Sequence, residues 1–396
     1  MATTSMDLSS NIMDLPCEVF ADILTRLPLK HVHQLQTVSK LWLTNISTPY
    51  FKILYNMKSM TRPRALVVQE SDETYSASGL GPTSRIITIS TMDLVSDNIK
   101  IQRDHLSFKI VGREYSFRVS SNLIIFQHKV CNLTTREIIN LPNNSSYPSF
   151  CFDVAYIPST NTYKIVHLFR YNKLLGTREV LEIGFETLTL RDGGPIPTSW
   201  QFVAHKEYFS YLIDATCVDG VMYWLVRIME EGAHIISMES ENENEEFLTI
   251  SCPKEDDHTL FGQGQLADLN GKLCLAYYSK ELSRMSLFLL KDRTTNQTWV
   301  KEYDINLSGM GDWVRIVGYV PLEGNNGDIL INGTTPFRYN IKEKRGRKLQ
   351  KSNVNYTCLY YDRCFTLERT KLPLPAVERL RVRDLPSKTT SKCEIL

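Results

Sequence analysis

Val130-Cys131-Asn132, then Thr134-Thr135-Arg136, then Ile138-Ile139-Asn140-Leu141-Pro142 is the stretch that decides the architecture. A short apolar strand runs into a polar turn, and a second apolar strand follows and ends at a proline. The same unit begins again near Ile183, Ile236, Leu290 and Tyr339, at separations of 53, 53, 54 and 49 residues. A fixed period means a repeated supersecondary unit whose apolar faces are buried only when copies stack.

A period near 50 with four short strands in each unit fits an all-β, kelch-like propeller. From Arg62 to Asp362 there is room for about six blades of that length. Three turn dipeptides lead into strands: Asp219-Gly220 before Val221, Asn270-Gly271 before Lys272 and Asn326-Gly327 before Asp328. Such pairs suit tight hairpins because both positions tolerate positive φ. Radial closure leaves no long exposed edge, and the apolar stretch Tyr356 to Tyr361 is expected to pair beside the first strands after residue 62. A two-sheet sandwich is the alternative.

Ahead of residue 62 the pattern is helical. Leu15-Pro16 opens a helix whose Leu15, Val19, Ile23 and Leu27 recur every four residues, with Phe20 and Leu24 beside them. Pro28 stops it. Val32, Leu35, Val38 and Trp42 mark a second pattern, and Thr48-Pro49 marks the next boundary. So short a module cannot bury all of that apolar surface by itself, so part of it needs a partner surface.

Leu15-Pro16, Leu27-Pro28-Leu29-Lys30, Val38-Ser39-Lys40-Leu41-Trp42 and Thr48-Pro49-Tyr50-Phe51, in that order and spacing, resemble the F-box. The resemblance implies a compact three-helix module over residues 12–55 that packs against a Skp-type adaptor and, through it, joins a cullin. It places Leu15, Pro16, Leu27, Pro28, Leu29, Leu35, Val38 and Trp42 at the adaptor contact. Gln34, Gln36 and Thr37 depart from the family's usual arginines and cysteine, which thins the polar rim.

Two phrases in the long domain resemble the F-box-associated domain of plant F-box proteins: Phe152 to Val166, and Val218-Asp219-Gly220-Val221-Met222-Tyr223-Trp224. That resemblance implies a surface recruiting a protein substrate for ubiquitination, with no catalysis of its own. Tyr171, His205, Tyr208, Phe209 and Tyr211 are candidates for such contacts, because loops on one face of a scaffold carry recognition and aromatic residues dominate binding. Packed hairpin aromatics are the alternative role. The expected plan is a disordered 1–11, the F-box at 12–55, the propeller-like domain at 62–362 and a basic, partly disordered extension at 363–396. The class is α+β multidomain.

Composition narrows the chemistry. The sequence has 396 residues, 42% of them hydrophobic, with 45 basic against 44 acidic side chains. No overall field draws the chain to nucleic acid. The runs Glu239 to Asp257 and Lys342 to Lys351 are strongly charged and read as solvated loops. Met1 to Asn11 is polar and unlike a secretory leader, and nine scattered cysteines without a C-x-x-C pair suit a reducing compartment, cytoplasmic or nuclear.

Gly262-Gln263-Gly264-Gln265-Leu266-Ala267 matches a dinucleotide fingerprint in letters only, since a turn and a strand follow it where a helix is needed. His31 and His33 lack the cysteines or carboxylates that would complete a metal set. No cofactor or metal is expected. A kelch-type enzyme with a dispersed site and an adaptor-binding scaffold without ligase activity are the rival functions. The chain ends Cys393-Glu394-Ile395-Leu396, a C-a-a-X arrangement with basic residues upstream, so prenylation of Cys393 would bring membrane association; a frayed tail is the alternative.

Overall fold

The computed structural model describes residues 16–367, apart from 76–81, 95–100, 112–116, 127, 144–148, 176–177, 207–208, 229–231, 242–246, 254–263, 295–296, 311–313, 323–326, 334 and 350–355. Four helices come first: α1 Cys17–Thr25, α2 Leu29–Leu35, α3 Lys40–Ser47 and α4 Pro49–Met60. Local chemistry sets their ends. Pro16 and Pro28 stand at the N-caps of α1 and α2. The hydroxyls of Ser39 and Thr48 accept the backbone N–H of Trp42 and Phe51, which satisfies donors that a helix start leaves open. Besides the three helices expected of the F-box over residues 12–55, the chain forms one more. Thr48 caps and Pro49 begins a fourth helix, which continues to Met60.

Strands then arrange into six four-stranded sheets. In chain order they are β1 Arg64–Tyr75, β2 Pro82–Asp93, β3 Ile101–Val111, β4 Phe117–Ser120, β5 Leu123–Phe126, β6 Lys129–Asn132, β7 Ile138–Asn140, β8 Ser149–Ile157, β9 Thr162–Leu175, β10 Arg178–Arg191, β11 Gln201–Lys206 and β12 Phe209–Val218. There follow β13 Val221–Ile228, β14 Gly232–Glu239, β15 Phe247–Ser251, β16 Gly264–Asp268, β17 Leu273–Ser279, β18 Arg284–Leu290, β19 Trp299–Asn306, β20 Arg315–Pro321, β21 Gly327–Asn332, β22 Phe337–Asn340, β23 Arg345–Lys348 and β24 Tyr356–Tyr360.

Each of blades 2 to 6 takes four consecutive strands, β4–β7 through β20–β23. Blade 1 is composite, in the order β24-β1-β2-β3, and Arg64 pairs with Tyr360 where the two ends of the domain meet. The first strands touch in a closed circuit, β24 to β4 to β8 to β12 to β16 to β20 and back to β24. This is a six-bladed propeller, not a sandwich. Its start points in sequence, Val130, Ile183, Ile236, Leu290 and Tyr339, all fall on the third strand of a blade.

The core lies in the seams. Six clusters of buried apolar residues sit one between each pair of neighbouring blades, from Val68 and Phe126 between blades 1 and 2 round to Leu330 and Ala65 between blades 6 and 1. The β12–β13 and β16–β17 turns hold Asp219-Gly220 and Asn270-Gly271 at positive φ, as two-residue hairpins require. Asn326 lies outside the described residues. Because strands alternate in direction, first-to-second and third-to-fourth connections open on one face of the ring. The other connections open on the opposite face. Arg64 starts β1 on the first of these faces, so the helices belong to that side.

Candidate functional site

The apolar stripe of α1 divides in two. Phe20, Ala21 and Leu24 are buried and pack with Leu29, Val32, Trp42, Ile46, Phe51 and Tyr55, while Val19 and Ile23 point out and stay 45% and 41% exposed. Thirteen large apolar side chains stand exposed among the described residues, and nine of them belong to this small module. Besides Val19 and Ile23 these are Val38, Leu41, Leu43, Tyr50, Ile53, Met57 and Met60. Water contact with so much apolar surface, concentrated in one module, is the mark of an interaction site.

The residues chosen from sequence distribute unevenly. Pro16, Pro28 and Val38 are exposed, Leu27 and Leu35 are half-buried, and Leu29 and Trp42 are buried in the module's own core. Phe20 meets Trp42 edge-on at 4.9 Å, so that pair holds the helices together. Leu15 lies outside the described residues. Val19, Ile23, Leu41 and the α4 row Tyr50-Ile53-Met57-Met60 did not figure among the sequence choices. The signal for Val19 and Ile23 was the breadth of the α1 stripe, since one flank of a stripe that wide must face away from a core this small.

The helices are fastened to the propeller by residues 361–367, which run between α4 and blades 2 and 3. Asn56 on α4 donates to Tyr156 Oη at 3.0 Å and Asn161 Oδ1 at 2.9 Å, and accepts the Cys364 backbone N–H at 2.7 Å. Arg363 donates to the Asn56 carbonyl at 2.8 Å, and its guanidinium lies over the Tyr156 ring at 4.2 Å. Asn122, Asn132 and Asn161 donate side-chain N–H groups to the carbonyls of Arg363, Phe365 and Cys364.

Phe365 and Leu367 complete the seam between blades 2 and 3, where Phe365 meets Tyr163 edge-on at 4.8 Å. Asp192 accepts from Thr366 and pairs with Lys52 of α4 at 2.6 Å. Burial pushes the Cys364 thiol and the Tyr55 phenol far above their ordinary values, so both are neutral. Nothing in the sequence pattern marked this strap, because its contacts are polar, aperiodic and distant along the chain.

The two family-like phrases also meet physically. Trp224 Nε1, from the second phrase, donates to Asp153 Oδ2 of the first at 2.9 Å, and Arg118 Nε donates to Asp153 Oδ1 at 3.2 Å. The Asp153 carboxylate in turn holds the Arg118 guanidinium above its usual range. These groups stitch the first strands of blades 2 and 3 to the second strand of blade 4.

The aromatic candidates lie at the other face. Tyr171 pairs with Glu182 near the end of β9, His205 with Gly184 near the end of β11, and Phe209 and Tyr211 open β12 opposite Ile228 and Arg227. The topology therefore gathers four strand positions at the end of blades 3 and 4 away from the helices. Their side chains, together with Tyr208 and Cys393, lie outside the described residues.

Gly264 begins the first strand of blade 5 and no helix follows it; Gly262 lies outside the described residues. His31 is exposed and His33 half-buried on α2. Among the described residues no helix is long and apolar enough to cross a membrane, and no group of three or more histidine, cysteine or acidic residues is placed to hold a metal.

Comparison with known proteins agrees with this arrangement. Residues 76–336 match the family described as the F-box associated beta propeller domain, and residues 12–54 match the F-box domain. A putative F-box protein of Arabidopsis thaliana is 27% identical over 320 residues, covering 76% of this chain and 70% of its own length. A second from the same organism is 23% identical over 282 residues, covering 66% of this chain and 63% of its own. Among solved structures, Citrobacter koseri AztD is similar at 11% identity and a TM-score of 0.35, over 74% of this chain and 83% of that one. Likeness that low says nothing of activity. With an F-box at its front and two thirds of its length matched by the propeller model, the chain belongs to the family of F-box proteins with an F-box-associated β-propeller domain.

Proposed function

We propose that this chain is the substrate-recognition subunit of a Skp/cullin/F-box ubiquitin ligase. The F-box docks to a Skp-type adaptor, and the propeller recruits a protein target. The single observation that carries the reading is the concentration of nine exposed large apolar side chains on a helical module that is itself pinned to a propeller. A surface of that kind is stable in water only at a cost, of about 25 cal/mol for each Å² that a partner would cover. The F-box match over residues 12–54 names the class of partner.

No bond-forming step is assigned to this chain. Its contribution is proximity: a target held on the propeller sees a raised effective concentration of the charged ubiquitin-carrying enzyme. A strap that fixes α4 against blades 2 and 3 suits that role, since slack between the two binding modules would dilute it. Cytoplasmic or nuclear residence follows from this function, with membrane association only if Cys393 is prenylated.

Reconstitution with adaptor, cullin and ubiquitin-charging components tests the reading. Wild-type chain is expected to bind the adaptor and to support ubiquitin transfer to a protein captured by the propeller, while Leu15→Ala/Pro16→Ala loses both. Adaptor binding with no transfer to any captured protein would replace the receptor with a scaffold. Turnover of a small molecule by the isolated propeller would replace it with an enzyme.

A further inference from the structure

A cleft of about 250 Å³ opens between blades 5 and 6, on the helix-bearing face but across the ring from the blades that hold the helices. Tyr303 and Tyr319 wall it, and Lys272, Lys291, Lys342 and Glu302 stand at its rim. Gly327 forms part of the lining, where a Cβ would come within 2.1 Å of the Tyr319 ring. The ring therefore lies against bare backbone, and the aromatic wall is built into the strand pairing of β20 and β21. Burial raises both phenols above their ordinary value, so each is a neutral hydroxyl able to donate.

Charge around the cleft is one-sided. Lys291 is paired with Glu302 at 3.3 Å, but Lys272 and Lys342 are exposed. Lys342 lies in the β22–β23 turn, and the hairpin adds the exposed Lys344, Arg345 and Arg347 against a single Glu343, while Lys348 at its far end donates to the Gly309 carbonyl. In a chain of net charge +1 this is a strong local concentration of positive charge. Cations spread over one hairpin do little for stability, because exposed like charges repel and exposed pairs contribute about 0–1 kcal/mol. They are suited to attracting and orienting an acidic partner.

We propose that the cleft receives an acidic segment of the protein target, resting on the receptor reading above. One apolar or aromatic side chain enters between Tyr303 and Tyr319. Carboxylates on either side of it meet Lys272 and Lys342 and the hairpin cations beyond. The cleft volume limits the buried part to one or two side chains, and the hairpin reads the flanking charge. The aromatic wall favours a protein segment over a nucleic-acid backbone, whose contacts are to phosphate and need no apolar slot.

The test uses purified full-length chain and fluorescence anisotropy with three labelled dodecapeptides. Each has a central Phe, flanked by four Glu, four Gln or four Lys in otherwise identical sequence. The Glu peptide is expected to bind at least tenfold more tightly than the Gln peptide, with the margin shrinking as salt rises. Lys272→Glu/Lys342→Glu, with unchanged thermal unfolding, and, separately, Tyr319→Ser, with the propeller still folded, are each expected to weaken it tenfold or more.

Equal binding of the Glu and Gln peptides, wild-type affinity in either variant, or tighter binding of a twelve-nucleotide oligothymidine would overturn the proposal. Adaptor binding is measured on the same samples. Failure of the peptide series with adaptor binding intact removes the cleft and leaves the receptor; loss of adaptor binding by the wild type removes the receptor reading itself.

Discussion

Asn56 Oδ1 accepts the backbone N–H of Cys364 at 2.7 Å, although 308 residues separate the two along the chain. The bond joins the last F-box helix to the strap that leaves the propeller. Asn56 is 4% exposed and satisfies three partners at once: Cys364, Tyr156 and Asn161. Replacing it with Leu keeps the volume and strands the Cys364 N–H in a buried site. The expected loss is about 2–3 kcal/mol, the cost of leaving buried polar groups unpaired. Urea denaturation of the full chain measures it, and a loss below about 0.5 kcal/mol, typical of surface changes, would contradict the role given to Asn56.

Phe365 tests whether the strap couples the two parts. Its ring is fully buried in the seam between blades 2 and 3, yet it belongs to neither blade. Phe365→Ala opens a cavity worth about 3–5 kcal/mol if the strap stays in place, and less if the strap lets go. The expected outcome is release: amide exchange in α4 rises sharply while β17, on the far side of the ring, keeps wild-type protection. Equal protection of α4 in both proteins would show that the helices hold their place without the strap.

Ring closure depends on β24. Thr357 turns its N–H and carbonyl away from β1 to the Asn332 side chain, so the ladder bonds to β1 come from its neighbours, Cys358 among them. Cys358→Pro removes a ladder donor in the strand that closes the circle. Unfolding is expected to begin at lower denaturant, and the freed β1 edge to promote association detectable by light scattering. A monomeric variant with an unchanged midpoint would mean that blade 1 does not need its C-terminal strand.

Much of this architecture is legible in the sequence for a physical reason. In most blades the third strand carries an apolar run and a polar connection follows it, so Val130, Ile183, Ile236, Leu290 and Tyr339 announce the period directly. Blade 1 is harder to see because its first strand comes from residues 356–360, at the far end of the domain from its other three.

The candidate site is harder to read. Periodicity shows that α1 is apolar over a wide arc, but which half faces Trp42 depends on where α3 and α4 lie. Hence Leu29 and Trp42, chosen for the partner, are core, and Val19 and Ile23, left aside, are exposed. The contacts of Asn56 and Arg363 have no sequence signature, since single polar residues joined across 300 positions leave no pattern.

Asp268 gives the fold a pH dependence of defined sign. Burial at the end of β16 lifts its carboxyl to about 6 from an ordinary 3.8, despite the Gly271 N–H that it accepts at 2.7 Å. The folded state thus holds this proton more tightly than the unfolded chain. The stabilisation it gives is complete below about 3.8 and is lost as pH rises through about 6. Asp268→Asn keeps the acceptor for Gly271 and removes the titration. At pH 7 it is expected to be more stable than wild type by an amount on the order of 1–3 kcal/mol, with the gap closing toward pH 4. Thermal unfolding at both pH values checks this, and a gap that widens at pH 4 has the wrong sign.

On the proposed function, an adaptor covers the outward half of the F-box helices. Val19 and Ile23 sit one turn apart on α1, outside the module's core, so Val19→Asp/Ile23→Asp leaves Phe20, Leu24 and Trp42 packed. Isothermal titration of the purified full chain with a Skp-type adaptor measures the consequence directly. Affinity is expected to fall by about 100-fold or more, a change near 2.8 kcal/mol, with unfolding of the free chain unaltered. An unchanged Kd for the double variant would contradict it.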